Sequence, residues 1–244
     1  MIERFEGATV GEIVATDFRT ARVFEEFGID FCCGGRRSLP DACAQVSADP
    51  AAVISALEAL PEAAADGDMT RMPLDRLIDH IVGNHHAYVR RALPAIGRHL
   101  EKLQQAHGER HPELRRVAVL FGTVNEELSQ HLLKEEQVLF PYVRDLAEHA
   151  EQLCGGLLSP FGTVANPIRM MEREHREAAD QLRIIRELTR NYAVPEDGCS
   201  TYEVCMRELA DFERDLHRHV HLENNVLFPR ALALENGTWR HDGR

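Results

Sequence analysis

The chain has no apolar run approaching the roughly 18 residues that a membrane-spanning helix needs, so no membrane partner is expected. Its opening residues, Met1-Ile2-Glu3-Arg4-Phe5-Glu6, carry acids and lack the basic and apolar regions of a secretory signal, which leads us to expect a cytoplasmic protein. Basic residues are in short supply, 28 Lys and Arg against 40 Asp and Glu, and they are scattered. A net charge of −12 repels phosphate backbones, so nucleic acid is not an expected partner. Neither a Gly-x-Gly-x-x-Gly pattern nor a P-loop is present, so no nucleotide site is expected. There are six cysteines in 244 residues, read as thiols rather than a disulfide framework. With 44% hydrophobic and 28% charged residues, the chain can form one large globular domain and a small one.

What the sequence does contain is a repeat. His131-Leu-Leu-Lys-Glu135-Glu-Gln-Val-Leu-Phe-Pro141 returns 88 residues later as His219-Val-His-Leu-Glu223-Asn-Asn-Val-Leu-Phe-Pro229. Two further histidines, His86 and His175, are 89 residues apart. Each half of a duplicated segment thus supplies one lone His and one His-x-x-x-Glu, a pattern that suggests two equivalent metal positions.

Four long helices are predicted, over about 73–106, over about 112–150, from 166 through the stripe ending at Ile185, and over about 200–236. Their apolar positions recur at steps of three and four. Pro94 is expected to kink the first, Asn166 to cap the third, and Ser200 to open the fourth with a capping box. In the first helix the stripe runs Ile78, Val82, His86, Val89, with His85 flanking it. In the second it runs Leu128, His131, Glu135, Val138. His175 interrupts the third, and His219 and Glu223 the fourth. Mostly short connections imply an all-α, up-down-up-down four-helix bundle over residues 72–237. Counting from the two turns, the histidines of each pair fall within roughly 3 Å of one level along the bundle. Residues 1–60 read as short helices forming a small domain, with Gly28 ending the second, Ser38 and Pro40 opening the third, and Asp49-Pro50 the fourth. Residues 61–71 read as a linker and 151–165 as a loop.

Four histidines and two glutamates on apolar stripes admit two readings, a buried hydrogen-bonded polar layer or a metal centre. Two facing carboxylates with no Arg or Lys on the stripe near them would be costly to bury unless neutralised, which favours metal. Residues i and i+4 share a helix face, so each His-x-x-x-Glu can bind as a unit. Imidazole and carboxylate suit two borderline divalent ions, iron best among them, and two His per metal leave positions open. Glu127 and Asp215, four residues before His131 and His219, and Glu174, beside His175, are candidates to hold the ligand histidines; each also reads as a solvated acid on a helix flank. His80, His99, His107, His111, His149, His217 and His221 read as surface residues.

His-x-x-x-Glu followed by Leu-Phe-Pro in a duplicated bundle resembles the hemerythrin-like family. Gly28-Ile-Asp-Phe-Cys32-Cys33-Gly-Gly35, with a later Ala42-Cys43, resembles the domain that heads the Repair of Iron Centers family, also called YtfE, ScdA or DnrN. The resemblance covers nearly the whole chain. It implies a hemerythrin-like bundle whose centre is two non-haem irons, oxo- or hydroxo-bridged, held by His86, His131, Glu135, His175, His219 and Glu223, with both glutamates bridging. It implies repair of iron–sulfur clusters after nitrosative or oxidative damage, with iron–sulfur proteins as clients and NO or O2 as small ligands. Oxygen-carrying hemerythrins have a further His in the third helix. Met171 and Ala179 stand there instead, so reversible oxygen transport is not expected.

Cys32 and Cys33 are candidates for thiol exchange or iron transfer, against the alternative of a structural turn with buried thiols; Cys43 could join them, and Cys154, Cys199 and Cys205 read as incidental. Three functions compete. The first is repair by iron supply, the second an enzyme reducing nitric oxide or peroxide at the di-iron site, the third a sensor of NO or O2. The Cys-Cys domain favours the first and the lack of an output domain weakens the third. A homodimer is left open.

Overall fold

The structure is a computed structural model and describes residues 5, 7–60, 69–149 and 161–238. Residues 61–68 of the expected linker, and most of the expected loop with Cys154, lie outside the described residues. The fold is all-α: among the described residues the one extended pairing is an isolated bridge between Thr9 and Ser38. Among the described residues no helix is long and apolar enough to cross a membrane. Two compact units make up the chain, and neither is continuous in sequence: residues 1–78 with 144–158 and 218–244, and residues 79–143 with 159–217.

The first unit contains four short helices, α1 (Val10–Thr16), α2 (Thr20–Glu26), α3 (Leu39–Val46) and α4 (Pro50–Glu58). Short helices are marginal alone, so their ends matter. Thr9 and Glu12 form a reciprocal capping box at α1, and the side chains of Ser38 and Asp49 cap α3 and α4, each with proline in the first turn. Gly28, just past α2, has a φ of +70°, which L residues rarely adopt. Ile13, Phe24, Ile29, Phe31, Leu39 and Val53 are buried. The same unit holds the chain's last helical stretch, in which a π-helical turn at Glu223–Leu227 leads into a terminal helix at Phe228–Glu235.

The second unit is the four-helix bundle. Its first helix begins with the last two residues of α5 (Leu74–His80), whose residues 74–78 belong to the first unit, passes through a π-helical stretch at Ile81–His86 and continues as α6 (Ala87–His107). The next is α7 (Glu113–Lys134), a π turn at Glu135–Leu139, and α8 (Phe140–His149), of which residues 140–143 belong here. Then come α9 (Ala165–Leu188) and α10 (Ser200–Leu222), of which residues 200–217 belong here. The stripes meet as amphipathic helices require: Val89, Leu93 and Leu100, Val117, Phe121 and Val124, Met171 and Leu182, and Leu209 and Phe212 are all buried. Phe121 and Phe212 meet edge to face at 5.6 Å.

Several local expectations are corrected. Pro94 lies within α6, and the departure from α-helical hydrogen bonding comes earlier, over Ile81–His86. Asn166 is already inside α9, its amide donating to the Phe161 carbonyl. The Cys199 carbonyl accepts from the backbone of Tyr202 and Glu203, so the helix begins one residue before the expected cap. A π turn holds one extra residue and advances the stripe. Leu139 is therefore buried where Val138 was expected, with Val138 48% exposed, and Ile81 is buried in place of Val82. His85, His107 and His221 are buried rather than flanking or exposed.

Candidate metal centre

All six expected ligand residues are buried, none more than 1% exposed. His86 ends one π stretch, and Glu135 and Glu223 each begin another. Such a turn sacrifices regular hydrogen bonding and re-aims side chains, and it recurs at functional sites.

In the second unit the imidazoles converge on Glu135. His86 Nε2 is 3.4 Å from its Oε2, and His131 Nε2 and His175 Nε2 are 3.3 and 4.0 Å from its Oε1. The Nε2 atoms of His131 and His175 are 3.0 Å apart. The outer nitrogens have carboxylate partners: His86 Nδ1 is 2.6 Å from Glu136, and His131 Nδ1 is 2.8 Å from Glu174. A carboxylate is an acceptor, so each Nδ1 carries its proton and donates. The inner Nε2 of a neutral ring is then a lone pair aimed at Glu135. Neutral rings so placed turn lone pairs toward the carboxylate, an arrangement that a cation held between them satisfies. In the first unit His219 Nε2 and Glu223 Oε1 are 3.0 Å apart, one turn from each other on a single helix. The donors therefore fit a borderline metal such as iron.

The carboxylates around the ligands have partners that spacing did not suggest. Glu174 serves His131, not its neighbour His175, and also takes Lys134. The hydrogen bond from His131, with that of Lys134, holds its carboxyl down at about 2 against the opposing effect of burial. Glu127 accepts from Gln181 at 2.8 Å rather than from His131, and Asp215 takes His85 Nδ1 at 2.9 Å. Glu136 went unnoticed in the sequence. Burial pushes its carboxyl up, but Arg90 and His86 outweigh that and leave it below its ordinary value. Only the packing of α7 beside the first helix brings it to His86, so no local signal could have found it. A cavity of about 420 Å³ reaches His131 between α7 and α9, lined by Glu126, Glu127, Lys134, Glu174 and Glu177 among others.

Cys32 is buried and Cys33 partly exposed in the turn between α2 and α3, and Cys43 is buried in α3. Cys199 is exposed, while burial pushes the Cys205 thiol up to about 12.

Residues 77–231 match the family model of the hemerythrin HHE cation binding domain, and residues 6–61 match the ScdA_N model, described as a domain of unknown function. An "Iron-sulfur cluster repair protein YtfE" of Yersinia pestis (strain Pestoides F) is 34% identical over 233 residues, covering 95% of this chain and 99% of the relative. This chain belongs to the YtfE family. Proteins of the same name from Cronobacter sakazakii and Citrobacter koseri are 33% and 32% identical, each over 231 residues, 95% of this chain and 99% of the relative. In this YtfE-family chain the buried histidines and glutamates all fall within the cation-binding match, and Cys32 and Cys33 within the other.

Proposed function

We propose that this chain is a cytoplasmic di-iron protein that repairs iron–sulfur clusters after nitrosative or oxidative damage by supplying iron to them. The observation that carries this reading is the set of imidazole Nε2 atoms converging on the buried carboxylate of Glu135, with the repeated His219–Glu223 pair. His86, His131, His175 and Glu135 of the second unit and His219 and Glu223 of the first supply four imidazoles and two carboxylates, enough donors for two metal positions. We assign the bridging role to Glu135 and Glu223. The carboxylates offset the charge of the ions, and two imidazoles per ion leave positions open to NO, O2 or an acceptor. The repair named for the relatives comes to this chain with iron as the cargo. Residues 1–60, with Cys32 and Cys33, face the damaged iron–sulfur protein, and residues 72–237 hold the iron. Glu136 and Glu174 keep His86 and His131 in the tautomer that binds metal.

The test is elemental analysis of the iron-loaded full chain, followed by incubation with an apo iron–sulfur protein. Two irons per chain and their recovery in an active client cluster are expected. One metal per chain after careful reconstitution, or iron that stays with the bundle while NO or peroxide is consumed catalytically, overturns the reading in favour of an enzyme.

A further inference from the structure

We propose that Asp30, Cys32 and Cys33 form a second metal site, a thiolate-rich exchange site for a soft or borderline divalent cation. Its use as a way station for iron rests on the repair reading above; its ability to bind metal does not.

In the segment Ile29–Gly35 Asp30 is the exposed residue and Cys33 is half-buried, while the others are buried. Ile29 and Phe31 enter the core of the first unit, which leaves Asp30 outside and brings Cys32 and Cys33 round behind it. Asp30 Oδ1 accepts the backbone N–H groups of Cys32 and Cys33 at 3.1 and 2.9 Å and the Cys32 thiol at 3.3 Å. The carboxylate and the two sulfurs consequently offer ligand atoms within 4.8 Å of one another. Two sulfurs and one oxygen select softer metals than the bundle does. Three protein ligands leave a coordination position open, as a site that takes up and releases its ion requires. The guanidinium of Arg37 packs over Gly34 beside Asp30, and this fixed positive charge opposes tight retention.

This turn is built rather than loose. The N–H groups of Val10 and Gly11 bind the carbonyls of Arg37 and Gly35 at 2.9 and 2.8 Å. Asn225 Nδ2 donates to the carbonyls of Phe31 and Cys32 at 3.1 Å each, and Asn224 Nδ2 to that of Cys32 at 3.3 Å. A Cβ at Gly35 would collide with the Asn225 side chain and the Phe31 carbonyl, so the close approach requires glycine there. Asn224 directly follows Glu223, so the thiol turn is braced on the π turn that carries a candidate iron ligand. Without metal, the hydrogen bond with Cys33, burial and the charges of Cys33 and Asp30 push the Cys32 thiol well above its ordinary value. A cation relieves that crowding of negative charge as each coordinating thiol gives up its proton.

The experiment is anaerobic titration of the reduced, iron-loaded full chain with Co2+, reading the thiolate-to-cobalt charge-transfer band and the protons released. One cobalt per chain, the band and two protons are expected. Cys32→Ser and Cys33→Ser should each abolish the band while circular dichroism and bundle iron stay unchanged. Asp30→Asn keeps the oxygen that accepts the two N–H groups but loses the charge, and should weaken binding by about tenfold or more. Absence of the band in the parent, or its persistence in Cys33→Ser, overturns the site. Parental affinity in Asp30→Asn overturns the three-ligand assignment. Iron transfer to an apo client, measured on the same samples, separates the two readings. Binding lost with transfer intact leaves repair standing and removes the thiols from it, whereas binding intact without transfer leaves the site and overturns repair.

Discussion

The two copies of the His-x-x-x-Glu motif share their His, their Glu, the Val-Leu-Phe-Pro that follows and a π turn, yet their outward faces have opposite fates. In the first copy Leu133 and Val138 are 44% and 48% exposed, Gln137 is exposed and Glu136 binds His86 and Arg90. The equivalent positions of the second copy are His221, Val226, Asn225 and Asn224. His221 and Val226 are 1% and 2% exposed, and both asparagines donate to backbone carbonyls of the thiol turn. The inward His and Glu are kept and the outward residues have changed with what covers them. In the second copy α1 and the Cys32–Cys33 turn lie over the helix, so residues that water would otherwise satisfy must find partners in the protein.

The largest expected effect tests whether the inward halves remain equivalent. Glu135→Leu and Glu223→Leu should each disturb both metals, because a bridging carboxylate serves two ions. Iron content should fall from about two per chain to one or fewer. Elemental analysis with the coupled di-iron spectrum checks this, and an unchanged spectrum in either variant would break the equivalence.

The outward faces should then differ in acid. Burial holds the His221 imidazole at about 4, against an ordinary value of 6.5, despite a backbone hydrogen bond at Phe31 that raises it. Between those values the unfolded chain binds a proton that the folded chain refuses. The stability of the first unit is therefore complete above pH 6.5 and declines as pH falls toward 4, by a total on the order of 3 kcal/mol. Leu133 in the first copy has no such dependence. Melting temperature against pH, for the parent and His221→Gln, checks this through the difference in slope, which removes other groups titrating in that range. Parallel curves would mean that His221 is not held neutral by its surroundings.

A smaller effect sharpens the same contrast. Asn225→Ala leaves the buried Phe31 carbonyl without its side-chain donor and should cost about 1–3 kcal/mol in urea unfolding. Gln137→Ala, at the matching exposed position, should change stability by no more than about 0.5 kcal/mol. Equal costs would show that the covering segment contributes nothing to the difference.

These contrasts also mark how far the sequence could be read. The stripe of α9, with Ile168, Met171, His175, Ala178, Leu182 and Ile185, is buried as spaced, because that helix keeps one periodicity throughout. Where the period changes, the reading slips by a residue: at Ile81 rather than Val82, and at Leu139 rather than Val138. Nothing in the composition of those segments announces an extra residue per turn.

The sequence by itself determined the all-α architecture, the duplicated bundle, the six buried His and Glu residues and the turn bearing two adjacent thiols. Each depends on helical period, caps or covalent neighbours, which are properties of short segments. Only the tertiary structure decided that Glu136 and Glu174 orient His86 and His131, that Glu127 and Asp215 serve Gln181 and His85 instead, and that His221, Asn224 and Asn225 are covered. Those outcomes depend on which side chains from distant segments come within about 3 Å of one another, the reach of a hydrogen bond. Helix packing sets that distance, and spacing along the chain does not.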